Sequence, residues 1–328
     1  MSRVFLTGGG GYIGGQLADA LLARGDEVIA LARSDESARA LAARSVTIVR
    51  GDVCDLDTFA GALDGCEIVH HVAGINAHCP RDPERMWQVN VLGPQNVVHA
   101  AARGGAGRVV FTSSSATIGE AYGTVGSEAT PHRGSFLSSY ERSKHDGERA
   151  AFAAASVTGV EVVALNPTSV QGPPRSGGTA AIILAYLKGS LRAFVDTHVS
   201  IVDVGDVVSA HLLAESRGRP GGRYVLSDEA LTSRQAIALL AELSGEQHRV
   251  RFVPREVAWR AARAGDLTFR VRGRVSPMCP ARVATILHGH RYDGSLAERE
   301  LGLRYTPLAE TFRRTIEWAR AQGLVPSH

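Results

Sequence analysis

The stretch "RVFLTGGGGYIGGQL" (3–17) limits the possible folds more than any other part of the chain. A short apolar run ends at Thr7, glycines follow at 8, 11 and 14, and an alanine- and leucine-bearing helical pattern starts at Tyr12. Glycine is required in such a turn for physical reasons. The chain must bend sharply, its backbone must approach a pyrophosphate closely, and the helix N-terminus must pack near the strand with its N–H groups facing an anion. A bare glycine spacing is weak evidence, but here a strand precedes it and a helix follows. Thr7, Gly8, Gly11 and Gly14 therefore read as a dinucleotide-binding turn.

The same alternation continues along the chain. Short β-branched runs at 27–32, 46–50, 67–73, 108–114 and 160–166 are separated by helical stretches, including a long one from Pro83 to about Arg103 and one containing "SSYERSK" (138–144). Repeated βαβ units predict an α/β fold, a Rossmann-type doubly wound parallel sheet with helices on both faces. After Pro167 the pattern loosens into "TSVQGPPRSGG" (168–178), with isolated strands such as "RYVLS" (223–227) beyond it. This predicts a dinucleotide-binding domain over 1–170. A smaller C-terminal substrate-binding lobe fills 171–328, with 199–215 returning to the first domain.

The second strand bears on the choice of dinucleotide. Selection of NAD(H) usually places an Asp or Glu at its end to accept from the adenosine ribose. Ala32 stands there instead and Arg33 follows, so an arginine is available for a 2′-phosphate. NADP(H) is favoured over NAD(H), with Asp35 and Glu36 close by. "GDV" (51–53) after the third strand offers Asp52 and a backbone group to the adenine edge.

Composition sets the remaining bounds. With 44% hydrophobic and 21% charged residues, the chain has the balance of a folded globular protein. Cys54, Cys66, Cys79 and Cys279 show no C-x-x-C spacing, which predicts free thiols in a reducing compartment and no metal site. "TAAIILAYL" (179–187) is too short to span a bilayer, and the N-terminus runs straight into a strand. A cytoplasmic protein without membrane insertion is expected. Arginines crowd 251–274 (Arg251, Arg255, Arg260, Arg263, Arg270, Arg272, Arg274) without interleaved stacking aromatics, a pattern of a solvated helix face rather than a nucleic-acid footprint.

Several motifs in a fixed order carry a resemblance: "TGGGGYIG" (7–14), "GDV" (51–53), "HHVAG" (70–74), "VNVLGPQNV" (89–97), "FTSSSATIG" (111–119), "YERSK" (140–144) and "NPTSVQGP" (166–173). The chain resembles the extended short-chain dehydrogenase/reductase family over nearly its full length, most closely the dihydroflavonol-reductase-like and hopanoid-associated epimerase-like branch. The resemblance implies a catalytic set of Ser115, Tyr140 and Lys144, with Ser114 the second choice for the serine. It implies that Gly8, Gly11, Tyr12, Ile13 and Gly14 hold the pyrophosphate and that Asp52 and Val53 meet the adenine. Ala73, Pro167 and Val170 line the cofactor site, the last two near the nicotinamide, and Lys144 reaches the nicotinamide ribose. It also makes a homodimer through the helices containing 83–103 and 139–158 an expectation.

On a helix, Tyr140 and Lys144 share a face, and a cation there is expected to favour the phenolate and bring the tyrosine toward neutral pH. His70 and His71 are expected to be packed, and His78 receives no role. Such a set supports carbonyl reduction, epimerisation through a transient ketone, or dehydration. Ala116, Thr117 and Ile118 follow Ser115 where dehydratases carry an acidic pair, which argues against dehydration. "FVDTHVSIVDV" (194–204) lacks the Arg-Asp-aromatic stretch of sugar-nucleotide epimerases, although Arg255, Arg272 and Arg282 remain available for a diphosphate. The expected partner is a small-molecule carbonyl or alcohol, with a sugar or sugar-nucleotide epimerase as the alternative. A non-catalytic dinucleotide sensor is the remaining reading, which the presence of both Tyr140 and Lys144 disfavours.

Overall fold

The computed structural model describes residues 1–271, 276 and 278–326, without the side chain of Arg270. Arg272 and Arg274 of the arginine run lie outside the described residues. The first half alternates as the pattern requires: β1 (Arg3–Thr7), α1 (Tyr12–Ala23), β2 (Glu27–Ala32), α2 (Asp35–Ala42), β3 (Thr47–Arg50), β4 (Ile68–His71), α3 (Pro83–Trp87), α4 (Gly93–Gly104), β5 (Arg108–Thr112), α5 (Ser139–Thr158) and β6 (Glu161–Pro167). The long helix expected from Pro83 is interrupted: Gln88–Leu92 form a π-helical turn between α3 and α4. A local widening of this kind leaves no trace in apolar spacing.

Beyond β6 come β7 (Ser169–Gln171), α6 (Ala180–Leu187), β8 (Ala193–Val195), β9 (His198–Asp203), α7 (Val204–Arg217), β10 (Arg223–Leu226), β11 (Glu229–Thr232), α8 (Ser233–Ser244), β12 (Arg251–Val253), α9 (Arg255–Val271), α10 (Pro280–His288) and α11 (Leu308–Ala321). The main sheet has seven strands in the order β10-β6-β5-β4-β1-β2-β3, every neighbouring pair parallel. The strand at 223–226 is therefore not an isolated piece of the smaller lobe. It extends the main sheet, with Leu226 opposite Pro167. A three-residue apolar core, Tyr224–Leu226, cannot reveal which sheet will accept it.

Both faces of this sheet are covered, which is why its strands read as near-continuous apolar runs. On one face Phe5, Val69, Val109 and Val162 pack against Val97 and Ala101 of α4 and Ala151 and Ala154 of α5. On the other, Leu6 and Val28 meet Leu17 and Leu21 of α1, while Val110, Val163 and Leu165 meet Val207 and Ala210 of α7. The apolar stripe of α6 serves a separate core: Ile183, Leu184 and Leu187 pack with Leu240 of α8 and Phe312 and Ile316 of α11.

The free-thiol expectation is corrected at two of four positions. Cys79, in the loop after β4, is disulfide-bonded to Cys279, just before α10, across 200 residues of sequence. Only the fold brings them together, so spacing could not disclose the pair; Cys54 and Cys66 remain free. The redox argument for compartment loses its basis accordingly. Among the described residues no helix is long and apolar enough to cross a membrane.

Candidate active site

The sheet order reverses between β1 and β4, and in sheets of this kind ligands gather at such a switch point outside the carboxyl ends of the strands. The glycine turn lies there. Gly8 adopts φ +75°, and a Cβ on it would fall 2.6 Å from the backbone nitrogen of Ala73. A Cβ on Gly14 would sit 2.2 Å from the carbonyl oxygen of Gly8, so the turn and the first helix are packed backbone to backbone. Gly11 occupies the N-cap of α1 and supplies no side-chain cap. The first N–H groups of a helix have no partner within the helix, and here their dipole faces a loop that only glycine can form. This cradle fits a dinucleotide pyrophosphate.

The other cofactor-site expectations distribute as follows. Thr7 is buried and structural: its Oγ1 lies 2.7 Å from His71 Nδ1 and accepts from the Ala73 N–H at 3.2 Å. Ile13 is half-buried, and Tyr12 reaches across to donate to the Gly172 carbonyl at 2.7 Å. That bond ties the glycine turn to the loop after β7. Arg33 is exposed beyond β2. Burial pushes the Asp52 carboxyl up, but the Cys54 N–H, at 3.0 Å, and the Arg85 guanidinium outweigh it and leave the pKa lowered. Val53 is buried and its carbonyl accepts from Asn96. Pro167 ends β6, and Val170 is buried in β7 with its carbonyl bonded by Arg175.

Helix α5 starts cleanly because the Ser138 side chain accepts from the Glu141 N–H. Its first turns bury both Tyr140, 8% exposed, and Lys144, 5% exposed. The lysine ammonium donates to the Thr112 carbonyl at 3.0 Å and lies 4.8 Å from the Phe111 ring centre. Burial lowers its pKa to about 8, against the opposing pull of Glu148. The expected effect of this lysine on the tyrosine is corrected by the structure. Burial raises the Tyr140 pKa, and the groups that oppose it are the Ser114 hydroxyl and the Arg175 guanidinium. Desolvation of the phenolate is the largest influence, and the Lys144 ammonium is directed to the Thr112 carbonyl.

The serines divide their roles. Ser114, the second choice from the motif, meets the Tyr140 phenol, whereas Ser115 meets the phenol of Tyr292. The turn Ser115–Thr117 is capped by Ser114, whose side chain accepts from the Ala116 N–H. Sequence reasoning passed over several residues that complete the site. Asn90 accepts from the Ile75 N–H and donates to the Ile75 carbonyl and to Ser143, fixing the loop after β4 against α5. Glu148 accepts from Ser113, Thr117 and Asn166 and pairs with Arg223, joining β5, β6, β10 and α5 behind the serines. The "VNV" motif pointed to Asn90 without giving it a task; Glu148, one helical turn past Lys144, was the available signal for the second. His78 packs edge-on to Tyr140 with ring centres 5.3 Å apart, and burial, with Arg282 and His290, lowers its pKa to about 4. His70 and His71 are packed as expected, His70 between His211 and Glu215.

A glycine cradle at the switch point with a buried tyrosine, lysine and serine beside it defines a nucleotide-binding crevice of the Rossmann class. The chain belongs to the NAD dependent epimerase/dehydratase family, which matches residues 4–227, and thus to the extended short-chain dehydrogenases/reductases its motifs resemble. It is 32% identical to sterol demethylase protein B of Methylococcus capsulatus, over 98% of this chain and 99% of that one. It is 28% identical to cinnamoyl-CoA reductase 1 of Petunia hybrida, covering 98% and 93% of the two chains. The crystal structure of gox2253 superposes with a TM-score of 0.86 at 26% identity, covering 99% and 100%.

Proposed function

We propose that this protein is an NADP(H)-dependent oxidoreductase that reduces a ketone or aldehyde on a small, ring-bearing or lipid-like molecule. The observation that carries this reading is the placement of the buried Tyr140, in contact with Ser114 on one side and His78 on the other, one helical turn before the buried Lys144 at the carboxyl end of β5. The phenol is protonated at neutral pH and therefore has a proton to donate. The dinucleotide, when bound, supplies the hydride. Tyr140 donates its proton to the substrate oxygen, and the Ser114 hydroxyl holds a hydrogen bond on the same oxygen as charge develops there. Lys144 keeps a positive charge at the carboxyl end of β5 and would donate to the nicotinamide ribose of a bound dinucleotide. Oxidation of the alcohol runs the same path in reverse. Two relatives named for a sterol and for a cinnamoyl thioester support a ring-bearing substrate. Helices α4 and α5, with Trp87 and Val157 exposed nearby, are the proposed homodimer contact.

Epimerisation remains a second reading because the family carries that name. Of the arginines considered for a diphosphate, Arg255 is bonded to Tyr122 and Arg282 lies near His78, while Arg272 is outside the described residues.

The cofactor preference rests on Arg33. Replacing it with alanine is expected to weaken NADPH binding about tenfold, the equivalent of about 1.4 kcal/mol for a lost charge-assisted bond, with little change for NADH. Equal losses, read by fluorescence titration of both cofactors, would remove the phosphate clamp from the account.

A pH profile follows from the lysine. With Lys144 near 8 and Tyr140 raised above its ordinary value, the lysine loses its charge first as pH rises. Reductive kcat/KM is expected to hold to about pH 8 and decline above it, before the phenol titrates. A profile that stays flat well past the lysine's pKa would contradict this order.

A further inference from the structure

Three side chains from distant parts of the sequence converge beyond the serine turn. Glu120 follows the serine turn and is 1% exposed; His288 ends α10, and His290 lies two residues later. His290 Nδ1 stands 2.6 Å and His288 Nε2 3.5 Å from the same oxygen, Glu120 Oε1, and the two imidazole centres are 5.0 Å apart. One potential ligand atom from each residue falls within 4.8 Å of the other two. We propose that Glu120, His288 and His290 form a binding site for a divalent transition-metal cation of the zinc class.

A simple buried ion pair leaves this arrangement poorly satisfied. Among the described residues, Glu120 Oε2 and His290 Nε2 are buried without a hydrogen-bond partner, and His288 Nε2 has only its long contact to Glu120 Oε1. A buried polar atom is destabilising when nothing replaces its water. Two imidazoles and the Tyr292 phenol converging on one carboxylate do not solve this, whereas one cation can take an atom from Glu120 and from each imidazole. Ligand atoms about 2.1 Å from a tetrahedral ion stand about 3.4 Å apart, so the observed spacings need only small side-chain shifts. Two imidazoles and one carboxylate suit zinc and its neighbours, not magnesium or calcium.

The backbone is already organised for the purpose. Thr197 donates to the Ile286 carbonyl at 2.6 Å, and the His290 N–H donates to the His198 carbonyl at 3.0 Å. The Glu120 carbonyl accepts from Arg133. The Cys79–Cys279 disulfide anchors the start of α10, which ends in His288. With three protein ligands the ion keeps an open position, and Tyr292, whose phenol is 3.2 Å from His290 Nδ1, links the site to Ser115. The metal-free reading of the sequence had no access to this site, because its ligands are separated by about half the chain.

The test uses untagged full-length chain, stripped with chelator and titrated calorimetrically with Zn(II), Co(II) and Mg(II). One Zn(II) or Co(II) per chain is expected with micromolar or tighter affinity, and no matching Mg(II) isotherm. Glu120→Gln and His288→Ala are each expected to weaken Zn(II) at least tenfold, while His248→Ala, at a histidine packed against Tyr186, keeps wild-type affinity. Should a variant fail to fold, X-ray absorption at the zinc edge of the wild-type complex decides: two imidazoles with oxygen ligands support the site. Absence of stoichiometric binding, binding undiminished in the folded variants, or a spectrum without two imidazoles overturns it.

Discussion

Tyr140→Phe is expected to lower kcat for carbonyl reduction by about 10²–10⁴-fold, the range of a positioned general acid. The phenyl ring fills the same buried volume against His78, so only the hydroxyl and its contact with Ser114 are lost. Dinucleotide affinity should stay near the wild-type value, because the glycine cradle and the start of α1 are untouched. Parallel measurement of single-turnover reduction and cofactor binding separates the two. A variant retaining kcat within about tenfold of wild type would mean that another group donates the proton.

The second large effect concerns stability. Glu148→Ala leaves Ser113, Thr117 and Asn166 without their shared acceptor and Arg223 without its carboxylate. Arg223 is 27% exposed and can regain water. The loss therefore comes mainly from the buried donors left without this acceptor, about 1–3 kcal/mol out of the about 5–15 kcal/mol that holds a typical protein folded. The urea midpoint should fall by the corresponding amount with little change in slope. Because Ser113 and Thr117 bracket Ser114 and Ser115, the folded remainder should also lose activity. A loss below about 1 kcal/mol would show that water replaces the carboxylate at little cost.

What could be read from the sequence was local. The strand, glycine turn and first helix occupy the expected positions because sterics within a few residues decide them; β1, β2 and α1 agree to within a residue. Tyr140 and Lys144 were legible for the same reason, since helical spacing places them on one buried face. Features that depend on distant partners were not. The acceptance of β10 beside β6, the Cys79–Cys279 bond and the choice of Ser114 to face Tyr140 arise from tertiary contacts. Even the electrostatics followed this division: a lysine four residues from a tyrosine suggested a lowered phenol, but the depth of burial decided otherwise. Glu148 illustrates the limit most clearly, because a glutamate on a polar helix looks solvated until three strands close over it.

Reduction of a substrate carbonyl at Tyr140 consumes NADPH in proportion to the alcohol formed. The direct measurement incubates the protein with NADPH and a panel of cyclic ketones, aromatic aldehydes and nucleotide sugars, following both cofactor absorbance and product. Stoichiometric NADPH oxidation with a ketone or aldehyde, matched by alcohol formed and absent in Tyr140→Phe, is the predicted result. Inversion of a sugar nucleotide without net cofactor consumption would contradict it.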